Sequence, residues 1–289
     1  MTYEEMTSAL SALNEKCCMS LSALPHCSNI LHQLSKKEND KHHLFEQIIP
    51  IYLHARTIEF EEKNIRSYVK SVTASFSNYL DYFWPPTNNP FLHQSDFVSS
   101  IIPEMICMIF GSIINHKGLD LEVSAQKDLA IECIFGIANG GSVKLKNKRV
   151  DVAVTIPSKL VFNDEVKELP IPLIAVECKT NLDKNMISGI EHSVNELKKT
   201  FPDCCYFVVS ELSDFDVRKL NYASSGIDEM YILRNQKRAV IRKNPNMRNP
   251  INPDLIYDLV QVLLTNLEAM NTNKSDLDLK MQAGRLIGR

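Results

Sequence analysis

The sequence has no C-x-x-C pair, no excess of positive charge and no apolar N-terminal leader. Each absence excludes a class. Eight cysteines in 289 residues, two of the pairs adjacent at Cys17/Cys18 and Cys204/Cys205, are too sparse for a disulfide scaffold and lack zinc-ligand spacing. They read as buried thiols of a reducing cytoplasm, where the protein is expected to reside. A net charge of −3 removes any global basic signal for nucleic acid, so a DNA-binding surface has to be local. No window approaches ~18 uncharged apolar residues, which predicts no membrane span. The acidic start M-T-Y-E-E-M is not a signal peptide. No internal repeat is evident. At 44% hydrophobic and 23% charged, the composition is that of a soluble globular protein with one large or two modest domains.

Met6, Leu10, Leu13, Cys17, Leu21 and Leu24 recur at helical spacing and predict a helix over 3–24, ended by Pro25. Ser28 is expected to cap a short helix to Leu34, and the charged run 36–43 reads as a solvated connection. Helices are predicted over 44–60, kinked at Pro50, and over 65–83, where Trp84-Pro85-Pro86 opens a loop to Pro90. Ser95-Asp96 caps a stretch over 96–115 that is apolar nearly all round and hence buried, with Glu104 its one acid after Pro103. Beyond Lys117-Gly118 the texture changes to strands: 129–136, a turn at Asn139-Gly140-Gly141, 149–156, a polar excursion over 157–170, and 172–180. Asp183 opens a helix to Phe201, and 205–210 completes a strand–helix–strand crossover. Residues 211–229 read as polar and partly helical. Short strands are expected at 230–233 and 238–241, then a helix from Asn252-Pro253-Asp254 to about Met270 and a polar tail. The expected architecture is α/β (α+β): a mixed central sheet flanked by helices over 95–289, behind an all-helical region over 1–94.

Two of the strand-like runs carry charge where apolar residues belong. R-V-D-V-A-V-T-I holds Asp151, and P-L-I-A-V-E-C-K-T-N holds Glu177 and Lys179. Alternation places Glu177 and Lys179 on one face, roughly 7 Å apart along the strand. Such a run suits a central, doubly covered strand, where charges are costly unless paired or bound. An internal ion pair is the plain account, but two acids to one base leave a negative sum that a bound cation satisfies better. On adjacent strands Asp151 and Glu177 can converge on one hard cation. Mg2+, with Mn2+ as a substitute, takes oxygen ligands and keeps several waters, so two carboxylates and a phosphate oxygen suit it. That chemistry activates water and offsets charge building on a phosphate. Lys179 can hold or deprotonate the water, or neutralise charge; burial and a metal would depress its pKa.

An acid, a gap, then Glu177-Cys178-Lys179 closing an apolar strand before a helix and a further strand resembles the PD-(D/E)xK nuclease superfamily. The likeness covers about residues 95–212, in the order hairpin, E-x-K, helix, strand. Arg149-Val150 stands before Asp151 where the motif's name has a proline, a position that is loose in the family. In size and layout the chain is similar to type II restriction endonucleases of the BbvCI and DdeI group, with a helical front, I-I-P-E on a helix and a V-E-x-K strand. The resemblance implies a Mg-dependent endonuclease on duplex DNA, with Asp151, Glu177 and Lys179 catalytic and Glu104 an auxiliary metal or outer ligand. It also implies a dimer, either of like chains or with a non-identical subunit, each nicking one strand.

Other charged residues carry weaker expectations. Glu132 could take the auxiliary place of Glu104, and His192 or Glu196 could reach the site from the following helix, though each is more simply a surface residue. Asp128, Asp164 and Glu165 read as loop charges, and His42 and His43 as surface residues. The segment 234–248 holds Arg234, Lys237, Arg238, Arg242, Lys243 and Arg248 without an acid, and is expected to contact phosphates or base edges. Lys144, Lys146, Lys148 and Arg149 lead into the Asp151 strand and are expected to grip the DNA backbone beside the cut. Tyr79, Tyr82, Phe83 and Trp84 read as core. Two other functions compete: a structure-specific repair or recombination nuclease, and a DNA-binding module on the same fold that has lost catalysis.

Overall fold

The computed structural model describes residues 2–16, 24–36, 42–84, 95–136, 141–163, 165–215, 225–244 and 247–271. The expectations for Cys17/Cys18, most of the charged run 36–43, the loop after Trp84, the turn at 139–140, Asp164, much of 211–229 and the tail beyond Asn271 lie outside those residues. So do the side chains of Ser95 and Asp96.

The front of the chain is helical: α1 (Tyr3–Lys16), α2 (Pro25–Leu34), α3 (His42–Arg56), a single 3-10 turn (Glu62–Asn64) and α4 (Ile65–Asp81). Asn64 caps α4 by accepting the Ser67 N–H at 2.9 Å. Pro25 begins a helix where the sequence reading had it end one. At a first-turn position its missing N–H costs nothing and its fixed φ suits the helix. Ser28 therefore lies inside α2 and caps nothing. α5 (Ser95–Ser99) leads into α6 (Ile101–His116), with Pro103 in the first turn. Phe97–His116 is long and apolar enough to cross a membrane by composition, yet 83% of that window is buried inside the fold. It is the central core helix.

Five strands form one sheet in the order β1-β2-β5-β6-β7: β1 (Glu122–Gly136), β2 (Ser142–Ile156), β5 (Ile171–Leu182), β6 (Cys205–Ser213) and β7 (Glu229–Ile232). β2 runs antiparallel to both of its neighbours, β1 and β5, while β5, β6 and β7 are parallel. The stretch 157–170 forms a separate hairpin of β3 (Lys159–Phe162) and β4 (Glu165–Glu168). α7 (Lys184–Thr200) makes the crossover between β5 and β6, opened by Asp183, whose carboxylate accepts the Met186 N–H at 2.9 Å. α8 (Arg238–Lys243) occupies the place expected for a strand; a four-residue apolar run cannot by itself separate the two. α9 (Pro253–Asn271) closes the chain.

The sheet separates two apolar layers. On one side α7 packs Ile187, Ile190 and Val194 against Ala153, Ala175 and Tyr206. On the other, Val152, Val154, Ile174, Val176 and Cys178 meet α6, α9 and the helical front in one continuous cluster. The front has no core of its own: Met6, Phe45 and Phe76 belong to the same buried set as Ile106 and Val176.

A buried polar cluster joins the front to α6. Glu104, fully buried, accepts the backbone N–H groups of His26 at 2.8 Å and Cys27 at 3.0 Å, as well as the Tyr52 hydroxyl. Arg56 lies 3.8 Å away. The His26 ring donates from Nδ1 to the Phe97 carbonyl at 2.9 Å, which fixes its neutral tautomer and leaves Nε2 to accept from Tyr79 at 2.8 Å. Burial lowers the His26 pKa from 6.5 to about 3. Between these values the unfolded chain takes up a proton that the folded one refuses, so this group's contribution is complete above pH 6.5 and is lost as pH falls toward 3. The expected result is that lowering the pH from 7.5 to 5.5 removes about 1.4 kcal/mol through His26 alone. Urea midpoints of wild type and His26→Gln at both pH values measure it; an unchanged pH slope in the variant would rule out His26 as the source.

Candidate active site

The β2–β5 ladder pairs Ala153 with Ala175 and Val152 with Val176, and ends there. The next residues along it are Asp151 and Glu177. Where the backbones stop pairing, the Asp151 side chain takes over: its Oδ2 accepts the Cys178 N–H at 2.7 Å. Period-two alternation puts Glu177 and Lys179 on the Asp151 side, while Cys178 enters the core against α6. Lys179 Nζ lies 2.6 Å from Glu177 Oε1 and 3.7 Å from Asp151 Oδ2. The three side chains are 13–30% exposed, so the cluster is recessed but open to a ligand.

Burial raises the Asp151 pKa, and the neighbouring Glu177 charge raises it further, against the opposing pull of Lys179 and the Cys178 N–H. For Lys179, burial alone lowers the pKa, in the direction expected from sequence. The Glu177 charge and hydrogen bond, then Asp151, outweigh that, and the net shift is upward. The site thus holds two carboxylates in repulsion with one ammonium between them. A hard divalent cation fits this donor set, since it needs few protein oxygens and keeps its waters. Among the described residues, no group of three or more His, Cys, Asp or Glu is arranged to hold a metal.

Tyr206 is a member that sequence reading passed over. It sits on β6, is fully buried, and donates its hydroxyl to Glu177 Oε2 at 3.3 Å. Its alternation in C-Y-F-V-V-S was the available signal, because a residue paired with Ala175 in a parallel ladder lies beside the E-x-K strand. Tyr206→Phe is expected to slow cleavage roughly 10- to 100-fold with DNA affinity kept, the worth of one hydrogen bond to a charged group. Single-turnover rates at saturating DNA test this; an unchanged rate would make the contact structural only.

Several expected participants are elsewhere. Glu104 is not at this site. α6 packs on the opposite face of the sheet, and both carboxylate oxygens are held by the α2 N-terminus, Tyr52 and Arg56. Glu132 is paired with Lys146 at 3.3 Å on the exposed outer half of the β1–β2 arm. Asp128 lies on β1, not a loop, and is paired with Arg149 at 2.9 Å. Glu165 lies on β4, paired with Lys167 at 3.1 Å. His192 is exposed on α7, and Glu196 is held by Lys199.

The basic residues divide. Lys144, Lys146, Lys148 and Arg149 lie within β2 rather than ahead of it. The half-buried Lys148 lowers the pKa of Asp151 through its charge, which places it near the site. Lys237, Arg242 and Lys243 are exposed with no ion pair among the described residues, and Arg238 binds Asp214 at 3.0 Å. Arg234 and Arg248, expected to contact DNA, are instead engaged within the fold. Arg234 is buried, 2.7 Å from both Glu211 and Asp81. Arg248 shares the same two acids and lies 4.8 Å over the Trp84 ring. The segment has no acid of its own, but the fold supplies two from α4 and β6, and the pair of arginines locks the helical front to the sheet.

The model of the Bpu10I restriction endonuclease family matches residues 94–250, more than half of the chain and the whole span from α5 to the basic segment. The chain belongs to the Bpu10I restriction endonuclease family. A solved structure, the native BbvCI A2B2 tetramer at low resolution, superposes with a TM-score of 0.70 at 21% sequence identity, covering 87% of this chain and 98% of the matched one. That likeness includes the helical front and gives the mixed five-stranded sheet its restriction-endonuclease-like fold. A search of curated proteins returns no match. This Bpu10I-family member is a type II restriction endonuclease, a hydrolase that cuts DNA, and its family uses divalent metal in general.

Proposed function

We propose that Asp151 and Glu177 hold the divalent cation, Mg2+ with Mn2+ as a substitute, and that Lys179 serves the water that attacks the phosphodiester bond. The observation that carries this is the convergence of these side chains where β2 and β5 part. Bound there, the ion would supply positive charge against phosphate oxygens and make a coordinated water more acidic. The chain's own residues do the rest. The Cys178 N–H fixes one oxygen of Asp151, Tyr206 holds the second oxygen of Glu177, and Lys179 reaches both acids. Lys179 is thereby placed to hold the attacking water and offset charge on the phosphate.

The proposed DNA surface comprises Lys144, Lys146, Lys148 and Arg149 beside the site, with Lys237, Arg238, Arg242 and Lys243 around α8. Arg234 and Arg248 support that segment from beneath. One such site cuts one strand, so a double-strand break calls for two. We infer a working oligomer, either of like chains or with a non-identical subunit, as the A2B2 assembly of the BbvCI structure illustrates. The proposed location is the cytoplasm, where invading DNA is met.

Incubation with unmethylated phage DNA tests the reading. In Mg2+, discrete fragments or site-specific nicks are expected, and chelation abolishes them. A preference for branched or nicked DNA without discrete fragments would turn the reading to a repair nuclease. DNA binding without cleavage, in the presence of any partner subunit, would turn it to a binding module.

A further inference from the structure

Three described non-glycine residues have positive φ: Gln126 at +53°, Asn163 at +52° and Asn235 at +45°. The two asparagines lie between elements, and asparagine tolerates this conformation. Gln126 is different, because it lies in the middle of β1, where a left-handed backbone brings its Cβ against the following carbonyl. The ladder pairing is kept on either side of it. Ala125 keeps its pairing with Val152, and Lys127 keeps its pairing with Val150. The β2 residue between those two partners is Asp151.

Asp151 is therefore bracketed by interruptions. On one side the β2–β5 ladder ends at Val152, and on the other the facing residue of β1 is strained out of regular strand geometry. The Gln126 side chain is exposed and makes no hydrogen bond to another described residue, whereas the polar side chains around it are engaged. Ser124 and Lys127 both bind Glu122, at 2.6 Å and 2.9 Å. Strain of this kind persists where the surrounding fold imposes it, and strand irregularities beside reactive groups re-aim a side chain.

We propose that Gln126 is a substrate-positioning residue: its left-handed backbone turns the carboxamide out of the β1–β2 ladder beside Asp151, to donate a hydrogen bond to a phosphate oxygen of the DNA strand being cut. The proposal rests on the reading of Asp151, Glu177 and Lys179 as the active site. A neutral amide suits the task, since it binds a phosphate oxygen without adding charge to the balance of two acids and one ammonium.

Gln126→Gly separates backbone from side chain. Glycine adopts φ near +53° freely, so this variant folds and melts at or above the wild-type temperature. At saturating DNA its single-turnover cleavage rate is expected to fall about 10- to 100-fold, the worth of a hydrogen bond to a charged group. Gln126→Asn, an amide that tolerates the same backbone, recovers part of the rate. The assay uses the full chain with any partner subunit that purifies with it, and Asp151→Asn is run in parallel. If Gln126→Gly cuts at the wild-type rate while Asp151→Asn is inactive, the Gln126 proposal is overturned and the site reading stands. If Asp151→Asn itself cuts normally, the site reading fails and takes the proposal with it.

Discussion

Lys179→Ala is expected to leave the protein folded and DNA-bound while its single-turnover cleavage rate falls about 10²- to 10³-fold, the usual effect of removing one preorganised group that meets developing charge. The expectation follows from position. Lys179 Nζ is 2.6 Å from Glu177 and 3.7 Å from Asp151, so among the described residues it is the cation that pairs with both carboxylates. Its side chain is 30% exposed and belongs to neither apolar cluster. Removing it lets two largely buried acids repel each other, which Asp151, its pKa already raised by burial and by Glu177, relieves by taking up a proton; the remaining cost in stability is read by the melting temperature. Lys179→Arg keeps the charge but replaces a compact ammonium with a planar fork, so it is expected to recover only a small part of the rate. Cleavage rate and melting temperature are measured on the same preparations. Equal rates for Lys179→Ala and wild type would remove Lys179 from the chemistry.

The largest effect on stability is expected at Glu104. Glu104→Ala leaves two N–H groups of α2, the Tyr52 hydroxyl and the buried Arg56 guanidinium without the carboxylate that meets them. Breaking one partner of a buried ionic cluster costs about 3–5 kcal/mol, a large share of the roughly 5–15 kcal/mol that holds a domain together. Glu104→Gln keeps an acceptor for part of the set and is expected to cost less. Urea midpoints give the stability. Cleavage per folded molecule gives the second readout, and for Glu104→Gln it should match wild type, because Glu104 lies across the sheet from Asp151. A folded Glu104→Gln that has lost cleavage would return Glu104 to the metal site.

The contrast between Glu104 and Lys179 shows what a sequence can disclose. The meeting of Asp151, Glu177 and Lys179 was legible because its signal is local: charge in a period-two apolar run, with the strand itself carrying the geometry. Glu104 was legible in kind only. A carboxylate near a helix N-terminus was the right physics, but the helix it serves is α2, 78 positions upstream rather than its own. Arg234 and Arg248 misled for the same reason. Counting acids within 234–248 cannot see Asp81 or Glu211, which arrive through the fold. Pro25 and the run 238–241 were ambiguous at short range, and tertiary packing decided both. Gln126 gave no sequence signal, since its meaning lies in a dihedral angle and in the strand opposite.

The central claim is that Asp151 and Glu177 together hold a divalent cation. Mn2+ titration of the full chain, followed by electron paramagnetic resonance or calorimetry, tests it most directly, because it needs neither the recognised sequence nor a second subunit. The account predicts saturable Mn2+ binding by wild type, competed by Mg2+ and lost in both Asp151→Asn and Glu177→Gln, with Glu104→Gln binding as wild type. Undiminished binding in Asp151→Asn and Glu177→Gln would contradict it.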